Sequence, residues 1–95
     1  MINILLVCHV DARTGIGHLS RLLALAQELR KNKNITPEFL IFGELIKKEE
    51  LSNFKVHNFS LTESFFSSVE NVIEANNIDG VVFDIYPKYD IANLN

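Results

Sequence analysis

Three nearly unbroken runs of apolar, mostly branched residues constrain the fold of this chain more than any other feature of its sequence. They are INILLVCH at residues 2–9, EFLIF at 38–42 and GVVFDIY at 80–86. Such runs are typical of strands that are buried on both faces, as in parallel sheets. A further segment, FKVHNF at 54–59, alternates apolar with polar residues and predicts a half-buried edge strand.

Helical patterns separate these four predicted strands. From residue 17 or 18 to about residue 31, apolar residues recur at helical spacing: Leu19, Leu22, Leu23, Ala26 and Leu29. Residues 44–51 predict a short second helix. A third helix is predicted at residues 61–75, because Ser60 and Glu63 have the spacing of a capping box.

The alternation of strands and helices predicts an α/β fold with a Rossmann-like parallel sheet. Sequential parallel strands joined by helices form right-handed crossovers, and the simplest doubly wound strand order is 3-2-1-4. The 95 residues correspond to one domain. The last predicted strand is followed by neither a covering helix nor a further strand, so we expect residues 1–95 to be a fragment of a larger protein.

The composition and charge of the chain bear on its partners and its setting. The formal net charge is -3 and there is no basic run, which argues against a surface that binds nucleic acid. The one cysteine, Cys8, cannot form a disulfide within the chain and predicts a reducing, cytoplasmic setting. The opening apolar run is too short to span a membrane. No cysteine–histidine cluster has the spacing of a metal site, and no cofactor is expected.

The predicted topology indicates where a ligand would bind. In a doubly wound sheet the site lies beyond the carboxyl ends of the strands, where the strand order reverses. Here that point lies between strands one and four, so the loop at residues 10–17 faces the segment at 84–88. Gly15 and Gly17 would allow the backbone to approach a ligand closely, and the helix start favours an anion or a polar oxygen. Ser20 occupies the place of the third glycine of a dinucleotide fingerprint.

Three residues near this point are candidates for chemistry. His18 would act as a general base, kept neutral by the positive end of the helix, or it is a polar surface residue. Arg21 would hold a ligand oxygen, or pair with Asp84 or Asp11. Asp84 interrupts an apolar strand and needs a partner, so it would orient His18 or cap a neighbouring loop.

Other polar residues rank below these three. Tyr86 and Asp11 are further candidates for contact with the substrate, and His9 ends strand one close to the same place. His57 lies on the predicted edge strand and is expected to have no functional role. Cys8 is expected to be a small buried apolar residue.

The segment TGIGHLSRLLALAQELR, residues 14–30, resembles the G-x-G-H-x-x-R-x-x-x-L-A opening of GT-B nucleotide-sugar enzymes. The likeness is strongest to the nucleotide-sugar hydrolases of pseudaminic acid pathways and to family 28-like glycosyltransferases. VVFDIY is similar to the strand ending in Asp-x-Tyr in those hydrolases. The resemblance covers residues 1–31 and 80–90.

The resemblance implies that this chain is the N-terminal, acceptor-side half of a GT-B fold. A C-terminal domain, absent from these residues, would then hold most of the nucleotide. His18 matches the proposed base, which deprotonates a sugar hydroxyl in a transferase or a water in the hydrolase. The partners implied are a nucleotide sugar, a sugar acceptor and the second domain.

Three functions follow as expectations from the sequence. A glycosyltransferase ranks first, a nucleotide-sugar hydrolase second, and a flavodoxin-like binding domain without catalysis third. The isolated fragment is expected to be inactive, and either to self-associate through an exposed sheet edge or to be unstable. Peripheral contact with a membrane is expected only of the larger protein.

Overall fold

The computed structural model describes residues 1–10, 16–43, 49–59 and 64–84, except for the side chains of residues 16–18 and 49–50. The strands are β1 (Ile2–Val10), β2 (Ile35–Gly43), β3 (Lys55–Phe59) and β4 (Gly80–Asp84). The helices are α1 (Ile16–Leu29) and α2 (Phe65–Ala75), with a short 3-10 helix at Glu49–Asn53.

The four described strands form one sheet in which every neighbouring pair is parallel, in the order β3-β2-β1-β4. The predicted Rossmann-like α/β arrangement and its strand order are therefore confirmed. Two pairs in the register involve charged residues at the ends of strands. Asp84 at the end of β4 lies beside Cys8 of β1, and Glu38 of β2 lies beside Lys55 at the start of β3.

Helix α1 covers one face of the sheet with the apolar stripe that its sequence predicts. Four residues of that stripe are buried and a fifth is partly buried: Leu19, Leu22, Leu23, Ala26 and Leu29. They pack against the side chains of β1 and β2 that point to this face: Leu6, Cys8, Val10, Phe39 and Ile41. Burial of this apolar surface is the main force that holds the helix on the sheet.

Helix α2 covers the opposite face and packs its aromatic residues on the sheet. Its Phe65 ring lies 5.0 Å from the ring of Phe42 on β2 and 6.2 Å from that of Phe83 on β4. Val69 and Val72 complete the buried side of the helix. Each helix thus covers one face of the sheet, which explains why β1 and β2 are apolar on both faces.

Strand β2 begins three residues earlier than predicted and includes Pro37. A proline has no N–H to donate within a sheet, so the sequence favoured a strand that starts after it. The register shows why it is accommodated. Because β3 begins opposite Glu38, β2 has a strand neighbour on only one side at Pro37.

Helix α2 begins later than predicted, and the capping box at Ser60 does not mark its start. Ser64 is the N-cap instead, with extended backbone angles, and its hydroxyl accepts a hydrogen bond from the Ser67 N–H at 3.4 Å. The predicted helix at residues 44–51 is described only in part, where a 3-10 helix occurs. Residues 85–86 of the predicted fourth strand lie outside the described residues.

Candidate functional site

An ion pair joins α1 to the carboxyl end of β4 at the predicted reversal of strand order. The Arg21 Nε donates to Asp84 Oδ2 and the Arg21 Nη2 donates to Asp84 Oδ1, each over 2.9 Å. The Arg21 side chain is 63% exposed and that of Asp84 is 20% exposed. This paired geometry matches the planar fork of the guanidinium to the two carboxylate oxygens, and it fixes the orientation of both groups.

Two features of the sequence bring these residues together. Asp84 ends β4 in register with Cys8, so its side chain points to the face that α1 covers. Arg21 precedes the buried Leu22 on α1 and stays at the exposed side of that helix. The structure shows the predicted pairing of Arg21 with Asp84, whereas Asp11, the other predicted partner, lies outside the described residues.

The ion pair and the core around it alter two pKa values. The hydrogen bonds to Asp84, and then the negative charge of Asp84, raise the pKa of Arg21 above its ordinary value. Burial, followed by the charge of Asp84, raises the pKa of Cys8 from 9.0 to about 12. Cys8 is therefore a neutral, buried thiol, as predicted, and it is not a nucleophile at neutral pH.

Several predicted site residues lie outside the described residues: Asp11, Gly15 and Tyr86. Gly17 and His18 belong to the first turn of α1, but the side chain of His18 is not among those described. Orientation of His18 by Asp84 therefore stays a prediction. Asp84 is established as the carboxylate that holds Arg21.

His9 lies near this edge of the sheet but on its other face. Side chains alternate along β1, so His9 shares the α2 face with Val7, whereas Asp84 shares the α1 face with Cys8. The His9 side chain is buried, with the residue only 1% exposed. The interpretation that His9 lines the same pocket as Asp84 is accordingly not supported.

The sequence analysis missed a second cluster of charged residues at the opposite end of the sheet. The Glu38 side chain is only 7% exposed, and its Oε1 lies 2.9 Å from Nε2 of His57 and 3.9 Å from Nζ of Lys55. A carboxylate only accepts hydrogen bonds, so this contact assigns the hydrogen to Nε2 of His57. The signal in the sequence was a lone glutamate opening the apolar run EFLIF, since a buried carboxylate needs a partner.

No protein-family model matches this sequence, and neither the curated proteins nor the solved structures contain a match. Within residues 1–10, 16–43, 49–59 and 64–84, no group of three or more histidine, cysteine, aspartate or glutamate residues is placed to hold a metal ion. Neither helix in the described part of the chain has the length and apolar character needed to cross a membrane.

Proposed function

We propose that this chain is the acceptor-side domain of a glycosyltransferase of the GT-B type, which transfers a sugar from a nucleotide to an acceptor hydroxyl. The observation that supports the proposal best is the ion pair between Arg21 and Asp84. It lies at the reversal of strand order, beside the start of α1, where doubly wound folds bind their ligands.

The proposed reaction assigns His18 as the general base. His18 belongs to the first turn of α1, and the positive end of a helix favours the neutral imidazole that a base requires. The acceptor hydroxyl gives its proton to His18 as its oxygen forms a bond to the anomeric carbon. The bond from that carbon to the phosphate oxygen breaks, and the nucleoside diphosphate leaves with the electron pair.

Arg21 has a positioning role in this proposal. Its contact with Asp84 holds the guanidinium one helical turn from His18 and ties α1 to the carboxyl end of β4. Such pre-organisation lowers the cost of placing the acceptor against the base. Gly17, with no side chain, would allow a sugar to approach the backbone at the helix start.

The proposal also covers the nucleotide-binding domain, the cellular compartment and the class of ligand. The nucleotide would be bound mostly by a second Rossmann-like domain, and the setting would be the cytoplasm. The domain would bind sugars rather than nucleic acid, consistent with the net charge of -3. The alternative function, a nucleotide-sugar hydrolase, differs only in the use of water as the acceptor.

The deciding experiment measures release of nucleoside diphosphate from a panel of nucleotide sugars by the intact protein that carries this domain. A transferase releases nucleotide quickly only when a sugar acceptor is added. Release at full rate in water alone would replace the transferase with the hydrolase. If no donor and acceptor pair is turned over, the domain is a binding module and the proposal is wrong.

A further inference from the structure

A cavity of about 270 Å³ opens at the amino ends of β2 and β3, at the opposite edge of the sheet from Arg21 and Asp84. Its cause is the register of the two strands. Their first pair is Glu38 with Lys55, so residues 35–37 of β2 extend beyond the end of β3. The notch that remains is lined by these β2 residues, by Phe54, and by Arg30 just after the end of α1.

Arg30 gives this cavity a positive wall whose hydrogen-bond donors are not engaged by the described residues. Its guanidinium carbon lies 5.2 Å from the centre of the Phe54 ring, and no acceptor in the described part of the chain takes a hydrogen bond from it. The Phe54 ring is itself packed edge-on against Phe39, with 5.3 Å between centres. A guanidinium held over an aromatic ring by its charge can still donate its N–H groups to an oxyanion.

The other charged groups at the cavity are already paired with one another. The Glu38 carboxylate contacts His57 at 2.9 Å and lies 3.9 Å from the ammonium group of Lys55. Lys55 also donates to Oδ1 of Asn76 over 2.6 Å. The charges of Glu38 and Lys55 offset each other, so the charge of Arg30 remains to attract a ligand.

We propose that this cavity binds a small organic oxyanion, a carboxylate or a phosphate monoester attached to a compact apolar body. The oxyanion pairs with Arg30, and the apolar body lies against Ile35 and Pro37, which also line the cavity. Cavities that hold drug-sized ligands usually measure about 300–1,000 Å³, so this one suits a ligand the size of a single ring with its acidic group. The cavity lies at the opposite end of the parallel sheet from Arg21 and Asp84, so this proposal concerns a site separate from the one proposed above.

The test is a titration of the 95-residue chain, followed by nitrogen–proton NMR, with benzoate and phenyl phosphate in separate arms at constant ionic strength. The proposal predicts saturable shifts confined to the amides around the cavity, such as those of Thr36, Glu38, Phe54 and Lys55. Saturation by benzoate identifies the carboxylate as the preferred group, and saturation by phenyl phosphate identifies the phosphate. Either result supports the proposal.

Variants of Arg30 connect the binding to the proposed contact. Arg30→Gln is expected to weaken binding about tenfold or more, the usual effect of losing a charge-assisted hydrogen bond. Arg30→Lys keeps the positive charge but lacks the paired N–H donors of the guanidinium. It should bind the probe with an affinity between those of the unchanged chain and Arg30→Gln. Lys33→Gln, which removes one charge from an exposed turn outside the cavity lining, should bind as the unchanged chain does.

The NMR spectra also report whether each variant is folded. Arg30 is exposed, and its replacement removes the contact with the Phe54 ring while leaving the packing of Phe54 on Phe39 in place. Two results would overturn the proposal. One is the absence of saturable shifts around the cavity with both probes. The other is binding to Arg30→Gln with the same affinity as to the unchanged chain.

Discussion

Arg21 and Asp84 are separated by 63 positions, yet their side chains meet in a two-point contact with both nitrogen–oxygen distances at 2.9 Å. The contact connects the first half of α1 to β4, which neighbours β1 on the side opposite β2. Its strength is limited by solvent, because the Arg21 side chain is 63% exposed. The pair therefore serves to orient groups more than to stabilise the fold.

We expect Arg21→Gln to lower the melting temperature of the chain modestly at low salt. The loss should shrink as sodium chloride is raised, because exposed charges are screened. Lys31→Gln is a matched control, since it breaks the pair with Glu28 within one exposed turn and should change the melting temperature less. Melting curves that show an equal loss for Arg21→Gln at low and high salt would contradict this account.

The contact between the buried Glu38 and the partly buried His57 is expected to matter more for stability. His57→Ala leaves a carboxylate whose side chain is 7% exposed, and among the described residues Lys55 at 3.9 Å is then the one charged partner left to compensate. We expect the free energy of unfolding in urea to fall by about 2–4 kcal/mol, the usual range for breaking a buried charged contact.

Replacement of both partners provides the control for that experiment. The double change Glu38→Leu with His57→Leu removes the charge together with its partner and should recover most of the stability lost in His57→Ala. Glu74→Gln, an exposed change on α2, should alter stability by less than about 0.5 kcal/mol. If His57→Ala and Glu74→Gln were equally stable, the pair would not support the fold.

The raised pKa of Cys8 makes stability depend on alkaline pH. The thiol stays protonated in the folded chain up to about pH 12, whereas in the unfolded chain it ionises near its ordinary value of 9.0. The unfolded state therefore binds fewer protons above pH 9, and the stability present below pH 9 is lost as pH rises toward 12. The contribution is at most about 1.4 kcal/mol per pH unit.

Urea unfolding at pH 8, 9.5 and 10.5 measures this effect. Cys8→Ala is expected to be less stable at pH 8 because it leaves a small cavity, but its stability should decline less steeply with pH. The comparison subtracts lysine and tyrosine titration, which both chains share. Parallel pH profiles for the two chains would show that Cys8 does not contribute.

The sequence predicted the fold well because the features that decide it are local. Apolar runs define the strands, a 3.6-residue period defines α1, and the alternation of elements restricts the strand order to few choices. The errors arose where a neighbouring element decides the outcome. Pro37 is accommodated because β3 begins one residue farther on, and Ser64 caps α2 although Ser60 has the better local pattern.

The same distinction between local patterns and neighbouring elements explains which sites the sequence predicted. An aspartate at the end of an apolar strand requires a partner, and the topology placed Asp84 beside the start of α1, so Arg21 was among the predicted partners. The contact of Glu38 with His57 depends on the register between β2 and β3, which no pattern within either strand reveals. The notch beside Arg30 depends on the same register and was missed for the same reason.

Alanine substitutions at Gly43 and Gly80 compare the cost of an unfavourable backbone angle with the cost of close contact between side chains. Gly43 ends β2 with φ at 107°, a conformation that residues with a Cβ rarely adopt. Gly43→Ala should therefore lower the free energy of unfolding by about 1–2 kcal/mol. At Gly80 a Cβ would lie 3.1 Å from the flexible end of Ile4, so Gly80→Ala should cost less. The opposite ranking in urea would show that packing, not backbone conformation, limits these positions.

The proposed base makes the sharpest prediction about activity. In the intact protein, His18→Ala should lower the rate of sugar transfer by about 100-fold or more, the typical contribution of a general base. Gln27→Ala, on the exposed side of the same helix, is the matched control and should leave the rate unchanged. The pH profile separates catalysis from folding, because loss of the base removes the rise in rate that accompanies deprotonation of a histidine. A folded His18→Ala variant that keeps the unchanged rate and pH profile would exclude His18 as the base and leave Arg21 and Asp84 as a structural pair.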